Sequence, residues 1–118
     1  MKLFNHGYEM TLNRVYDIIT IKEGSEKLKL TVNGDSQRMV AGLNKAQKKM
    51  TELSDDADDE TVKEVAEYFA AVIFGKEQAT ELMKFYADDP VCVINVCGQY
   101  FKERLAGKIA AVQKKMKP

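Results

Sequence analysis

Between Val32 and Met39 the spacing of apolar residues changes from two to three or four, and that change divides the chain into two unlike parts. Leu28, Leu30 and Val32 alternate with Lys29, Thr31 and Asn33, which places one apolar face on a half-buried strand. Upstream, Val15 to Lys22 (VYDIITIK) is rich in β-branched and aromatic residues, and Glu-Gly-Ser-Glu separates the two runs as a turn. A β-hairpin over about 15–33 follows, with Asn33-Gly34 as the turn that ends its second strand. Leu12, Val15, Tyr16 and Ile19 also fit a helical stripe, so the first strand has a helical alternative.

Past Asp35 the period is helical. Asp35 or Ser36 is placed to accept the first free amide hydrogens of a helix, and Met39, Val40, Leu43, Met50 and Leu53 share one face. Gly42 costs that helix about 1 kcal/mol relative to alanine, which close approach of another backbone would explain. The acidic break Ser54 to Glu60 (SDDADDE) lacks the central glycine of a calcium loop and instead favours a helix start. A second helix buries Val62, Val65, Ala66, Phe69, Val72 and Ile73 and ends at Gly75. A third, Lys76 to Ala87, turns Ala79, Leu82, Met83 and Tyr86 inward. Asp89 then caps a last helix with Pro90 in its first turn. Its stripe, Ile94, Cys97, Phe101, Leu105, Ile109, Val112 and Met116, advances by three or four throughout. The expected fold is α+β and mostly α: an N-terminal hairpin followed by about four helices, the last one long. With 118 residues, 45% hydrophobic and 31% charged, it forms a single domain, its helical part at about 36–116.

The chemistry that such a fold could carry is limited by what is missing. His6 is the lone histidine, in an N-terminus expected to fray, and Cys92 and Cys97 match neither a zinc nor a Cys-x-x-Cys spacing. Both thiols are expected to be buried in a reducing cytoplasm. No glycine-rich phosphate loop occurs, and the carboxylates gather in a polar stretch rather than an apolar pocket. These absences predict a protein that is not an enzyme and holds no cofactor or metal. The longest apolar run, Tyr68 to Phe74, is too short to span a bilayer, and MKLFNHGYEM lacks a signal-peptide core. A cytoplasmic protein without a membrane partner is expected.

Eighteen basic and eighteen acidic side chains cancel, but in blocks. Ser36 to Met50 holds four bases and no acid; Glu52 to Glu67 holds eight acids and one base; Lys102 to Lys117 holds six bases and one acid. Such blocks mark solvated faces or the opposed surfaces of an oligomer. The helix–glycine–helix around Gly75 is not a DNA reader. Lys76 to Asp89 carries two bases against four acids and would repel the phosphates it had to hold, so the corner serves packing. A nucleic-acid role through the basic first or last helix is the alternative.

The runs LKLTVNGDSQRMVAGLNKAQKKM, EVAEYFAAVIFGKEQATELM and KIAAVQKKM, with an acidic loop between the first two, resemble the small tail assembly chaperones of siphophages and prophages of Gram-positive bacteria. The likeness covers about 27–115. It implies a non-catalytic, cytoplasmic interaction protein that self-associates and coats the tape measure protein while tail-tube subunits assemble. The last helix bears on where such a partner binds. At ~27 residues and ~1.5 Å each it is ~40 Å long, against ~35 Å for a compact domain of this size. Its apolar stripe should therefore outrun the core, which makes Leu105, Ile109 and Val112 candidate partner-binding residues, with complete burial within the monomer as the alternative.

Overall fold

In the computed structural model, residues 13–116 are described. Strand β1 (Arg14–Glu23) pairs antiparallel with β2 (Glu26–Asp35), with Ile19 opposite Leu30 and Glu23 opposite Glu26. Only Gly24 and Ser25 lie between the strands, and Gly24 takes the left-handed conformation (φ 59°) that a two-residue hairpin demands. Val15, Asp17, Leu30 and Val32 face inward. Tertiary contact thus settles β1 as a strand rather than the helix that its spacing also allowed.

The hairpin is longer than 15–33, because Asn33-Gly34 is not a turn. Both residues stay in β2, and the chain enters helix α1 (Ser36–Thr51) directly, with Asp35 accepting from the Gln37 amide. Asp58 caps α2 (Asp59–Phe74) through the Thr61 amide, and Asp89 caps α4 (Pro90–Tyr100) through the Val91 amide. Each carboxylate satisfies an amide that the first turn leaves free. Between them, α3 (Lys76–Phe85) follows α2 across Gly75, whose φ of 89° lets one residue end one helix and begin the next. Helix α3 stops two residues before the expected Ala87, and Ala87 and Asp88 both adopt positive φ (54° and 61°).

Among the described residues helix accounts for 66% and strand for 19%, so the fold is α+β and mostly α. Helix α2 is the central element, packed against α1, α3, α4 and β2. It buries Val65, Ala66, Phe69, Ala70, Ile73 and Phe74, while Val62 and Val72 are half-buried. The Phe74 and Tyr100 rings meet at 5.9 Å. Gly42 does mark a close approach, but by a side chain: a Cβ there would lie 2.8 Å and 2.9 Å from the two γ-carbons of Val72.

The last helical stretch is interrupted. After α4 comes a π-helical segment (Phe101–Leu105), then α5 (Ala106–Met116). The Ala106 amide donates to the Phe101 carbonyl, five residues back. The buried residues are Val93, Cys97, Tyr100, Leu105 and Ile109, with steps of four, three, five and four. Steps of three or four along the sequence point to Phe101 as the inward aromatic. Tyr100 is inward instead, and the step of five is the extra residue of a π-turn.

Candidate functional site

Two features flank the π-turn, a closed polar cluster on one side and an open apolar groove on the other. The cluster centres on Asp17, which is 6% exposed although charged. Burial raises its pKa and is the largest single effect. Against it, Arg104 donates from Nε (2.9 Å) and from a terminal nitrogen (2.7 Å), the Tyr100 hydroxyl donates at 2.8 Å, and the Ile18 amide at 2.9 Å. Lys108 adds its charge at 4.0 Å. Together these outweigh burial and hold the carboxyl below its ordinary range. The Tyr100 hydroxyl is pushed up by burial and by its bond to Asp17. Every acceptor position of Asp17 is thus engaged by protein. The cluster is a clasp between the hairpin and the last helix.

The groove lies across the π-turn from the clasp, between α1 and α4. Its volume is about 630 Å³, within the usual range of ligand and peptide sites. Phe69 forms part of the floor; Leu43 and Met50 on α1 and Ile94 and Phe101 opposite are half-buried and line the walls. Asn44, Gln47, Asn95 and Gln99 add amides, Gly98 leaves one wall bare of side chain, and among the described residues Lys102 is the one charged lining residue. Amides at the margin of an apolar trough keep it open to water while leaving hydrogen-bonding groups for an incoming backbone or side chain.

The residues expected to bind a partner lie elsewhere. Leu105 is fully buried and Ile109 is 6% exposed, both in the core, while Val112 is half-buried against it. The π-turn is the reason: its extra residue rotates the stripe back onto the domain instead of letting it run past the edge. Leu105 and Ile109 therefore offer no surface. Sequence periodicity missed the groove because Leu43, Met50 and Ile94 share a stripe with core residues and sit only at its margin.

The thiols divide. Cys97 is buried, which pushes its pKa up to about 12. Cys92, expected to be buried, is half-exposed and donates to Asp89 at 3.4 Å, a bond that raises its pKa. His6 lies outside the described residues. Among the described residues no cluster of three or more His, Cys, Asp or Glu is placed to hold a metal, and no helix is long and apolar enough to cross a membrane.

The corner at Gly75 packs inward, with Ala79, Leu82 and Met83 buried. Gln78, in the first turn of α3, spends its side chain on the hairpin: it accepts from the Thr31 amide and donates to the Thr31 and Phe74 carbonyls. No protein-family profile matches this chain, and no similar curated protein or solved structure was found.

Proposed function

We propose that this chain is a tail assembly chaperone-like interaction protein that binds the tape measure protein in the host cytoplasm during tail morphogenesis. The observation that carries the reading is the groove between α1 and α4, whose half-buried apolar walls and amide margin suit an amphipathic helix laid along it. The resemblance over about 27–115 supplies the identity of the client, a long helical protein that needs its apolar stripe covered until assembly.

The test is co-production with the tape measure protein that this reading expects to be encoded beside the chain. The two are expected to co-elute on size exclusion, and the tape measure protein is expected to precipitate when the chain is omitted. Leu43→Asp and Ile94→Asp, each placing a carboxylate in the groove wall, should abolish co-elution while the variants still melt cooperatively. Co-elution that survives both substitutions would remove the groove from the proposal. A tape measure protein equally soluble alone would remove the chaperone role.

A further inference from the structure

We propose that the last helix has two registers, one residue apart, and that the groove is open in only one of them. The hydrogen bond from Tyr100 to Asp17 selects that register; without it Ile94 and Phe101 turn into the core and the groove loses its apolar α4 wall. The inference stands on packing alone and holds whether or not the groove receives a client.

Two apolar stripes run through the same stretch of chain. A regular helix would bury Ile94, Cys97, Phe101, Leu105 and Ile109, with steps of three, four, four and four. The structure buries Val93, Cys97, Tyr100, Leu105 and Ile109, with steps of four, three, five and four. Cys97, Leu105 and Ile109 belong to both. The stripes differ only in which member of two neighbouring pairs points inward, Val93 or Ile94 and Tyr100 or Phe101. Neighbours on a helix lie about 100° apart, so turning α4 by one residue exchanges both pairs together. Ile94 and Phe101 are also the apolar side chains on the α4 side of the groove. The residues that a regular helix would bury are therefore the ones that the π-turn leaves in the groove wall.

Apolar burial by itself favours the regular stripe. It sets isoleucine in place of valine, and phenylalanine in place of a tyrosine whose hydroxyl needs a partner. It also restores ordinary helical hydrogen bonds, where the π-turn has the Ala106 amide reach back five residues to the Phe101 carbonyl. Asp17 outweighs these gains. It accepts from the Tyr100 hydroxyl at 2.8 Å inside the core, satisfying the one polar group that an inward Tyr100 brings with it. The Tyr100 ring then holds the place beside Phe74, at 5.9 Å, that Phe101 would take in the regular stripe. Arg104 and Lys108 flank Leu105, which is inward in both registers, so they neutralise Asp17 without choosing between them. Packed elements switch between discrete arrangements rather than deforming smoothly, and here the switch is a gate. In the regular register Asn95 stands where Ile94 stood, and the apolar surface of that wall is inside the domain. Any occupant of the groove favours the register in which Tyr100 is bonded to Asp17, and by linkage that bond favours the occupant.

The experiment is solution NMR on the full chain, with two readouts. One is which aromatic ring gives Overhauser contacts to the Phe74 ring; the other is whether a soluble paramagnetic agent broadens the Ile94 methyl signals. In the wild-type chain Phe74 is expected to contact Tyr100, and Ile94 to be broadened. Asp17→Ala leaves the hydroxyl without its acceptor, so the Phe74 contact should pass from residue 100 to Phe101 and Ile94 should become protected. The ratio of the two registers should change by roughly tenfold or more. Arg104→Gln keeps the Tyr100 bond and should keep the wild-type contacts. A folded Asp17→Ala chain that retains the contact between Phe74 and Tyr100 overturns the proposal. If that variant does not fold, Tyr100→Phe decides in its place, since it removes only the hydroxyl, and a contact that stays with residue 100 again overturns it. Arg104→Gln switching as far as Asp17→Ala would take the selecting role away from the hydroxyl bond. A register that shifts while Ile94 stays broadened would refute the gate.

Discussion

Replacing Gly42 with alanine sets two effects of known size against each other. Alanine is the better helix former, and in the middle of α1 it should add about 1 kcal/mol of stability. The new methyl would, however, lie 2.8 Å and 2.9 Å from the Val72 γ-carbons and 3.4 Å from its Cβ. Val72 is β-branched, with one favoured χ1 in a helix, so it cannot turn aside as a lysine tip would. Forcing extra volume into such a contact costs about 1–3 kcal/mol. The overpacking wins: Gly42→Ala should lose roughly 0–2 kcal/mol overall, as the difference of those two terms. Val72→Ala alone should lose about 1 kcal/mol, since its methyl groups are only half-buried. The double variant should be more stable than the sum of the two losses by at least 1 kcal/mol, because the added methyl fills the space just vacated. Urea unfolding followed by circular dichroism gives all four values. A Gly42→Ala protein stabilised by about 1 kcal/mol, or a cycle with no coupling, would show that α1 and α2 separate freely at this point and refute the close-packing account.

Other perturbations probe the rest of the fold. Phe69→Ala should cost about 3–5 kcal/mol, since the ring is 5% exposed at the centre of the core, and a loss below 1 kcal/mol would contradict that burial. Gln78→Ala removes one side chain that serves three backbone groups and should cost about 1–2 kcal/mol by urea melt, with faster amide exchange at Thr31; unchanged exchange there would contradict the bridge. The depressed pKa of Asp17 makes its contribution pH-dependent: the unfolded chain takes up the proton first, so this stability is present above about pH 4 and lost as pH falls below it. The stability difference between wild type and Asp17→Asn should therefore shrink between pH 5 and pH 2.5, and a difference constant over that range would mean that the carboxylate is not engaged in the native state. Truncation after Lys108 removes Ile109 from the core and should lower the melting temperature, whatever it does to binding.

Local signals carried the elements that depend on neighbours in sequence. The Glu-Gly-Ser-Glu turn, the Asp89-Pro90 helix start and the Gly75 boundary were all legible, because a cap or a positive φ is decided within a few residues. Asn33-Gly34 misled because the same dipeptide that makes a turn also tolerates a strand when an Asp cap follows at once. The phase of the last helix was misread for a different reason. Tyr100 and Phe101 are both aromatic and both fit a three-or-four step, and the choice between them is made by Asp17, far away in sequence. The groove was invisible for the same kind of reason: periodicity records which residues share a face, not where the neighbouring helix stops covering that face. Leu105 and Ile109, read as surface from helix length alone, were returned to the core by a single inserted residue.

The separation of Asp17 from its partners, 83 residues to Tyr100 and 87 to Arg104, also has a consequence for synthesis. At about 5–20 residues per second the ribosome delivers Arg104 roughly 4–17 s after Asp17. Throughout that interval the hairpin exists without the groups that neutralise its inward carboxylate, and an isolated two-stranded hairpin is marginal in water. The hairpin therefore cannot seed folding from the N-terminus. It waits for α2 to cover Leu30 and Val32 and for the last helix to close on Asp17. Ribosome-arrested chains ending near residue 98 should leave the hairpin open to protease, whereas chains extended well past 108 should protect it. A messenger that breaks within that window would release a product with an unpaired apolar strand pair, so the cell's burden from this protein falls on its unfinished copies.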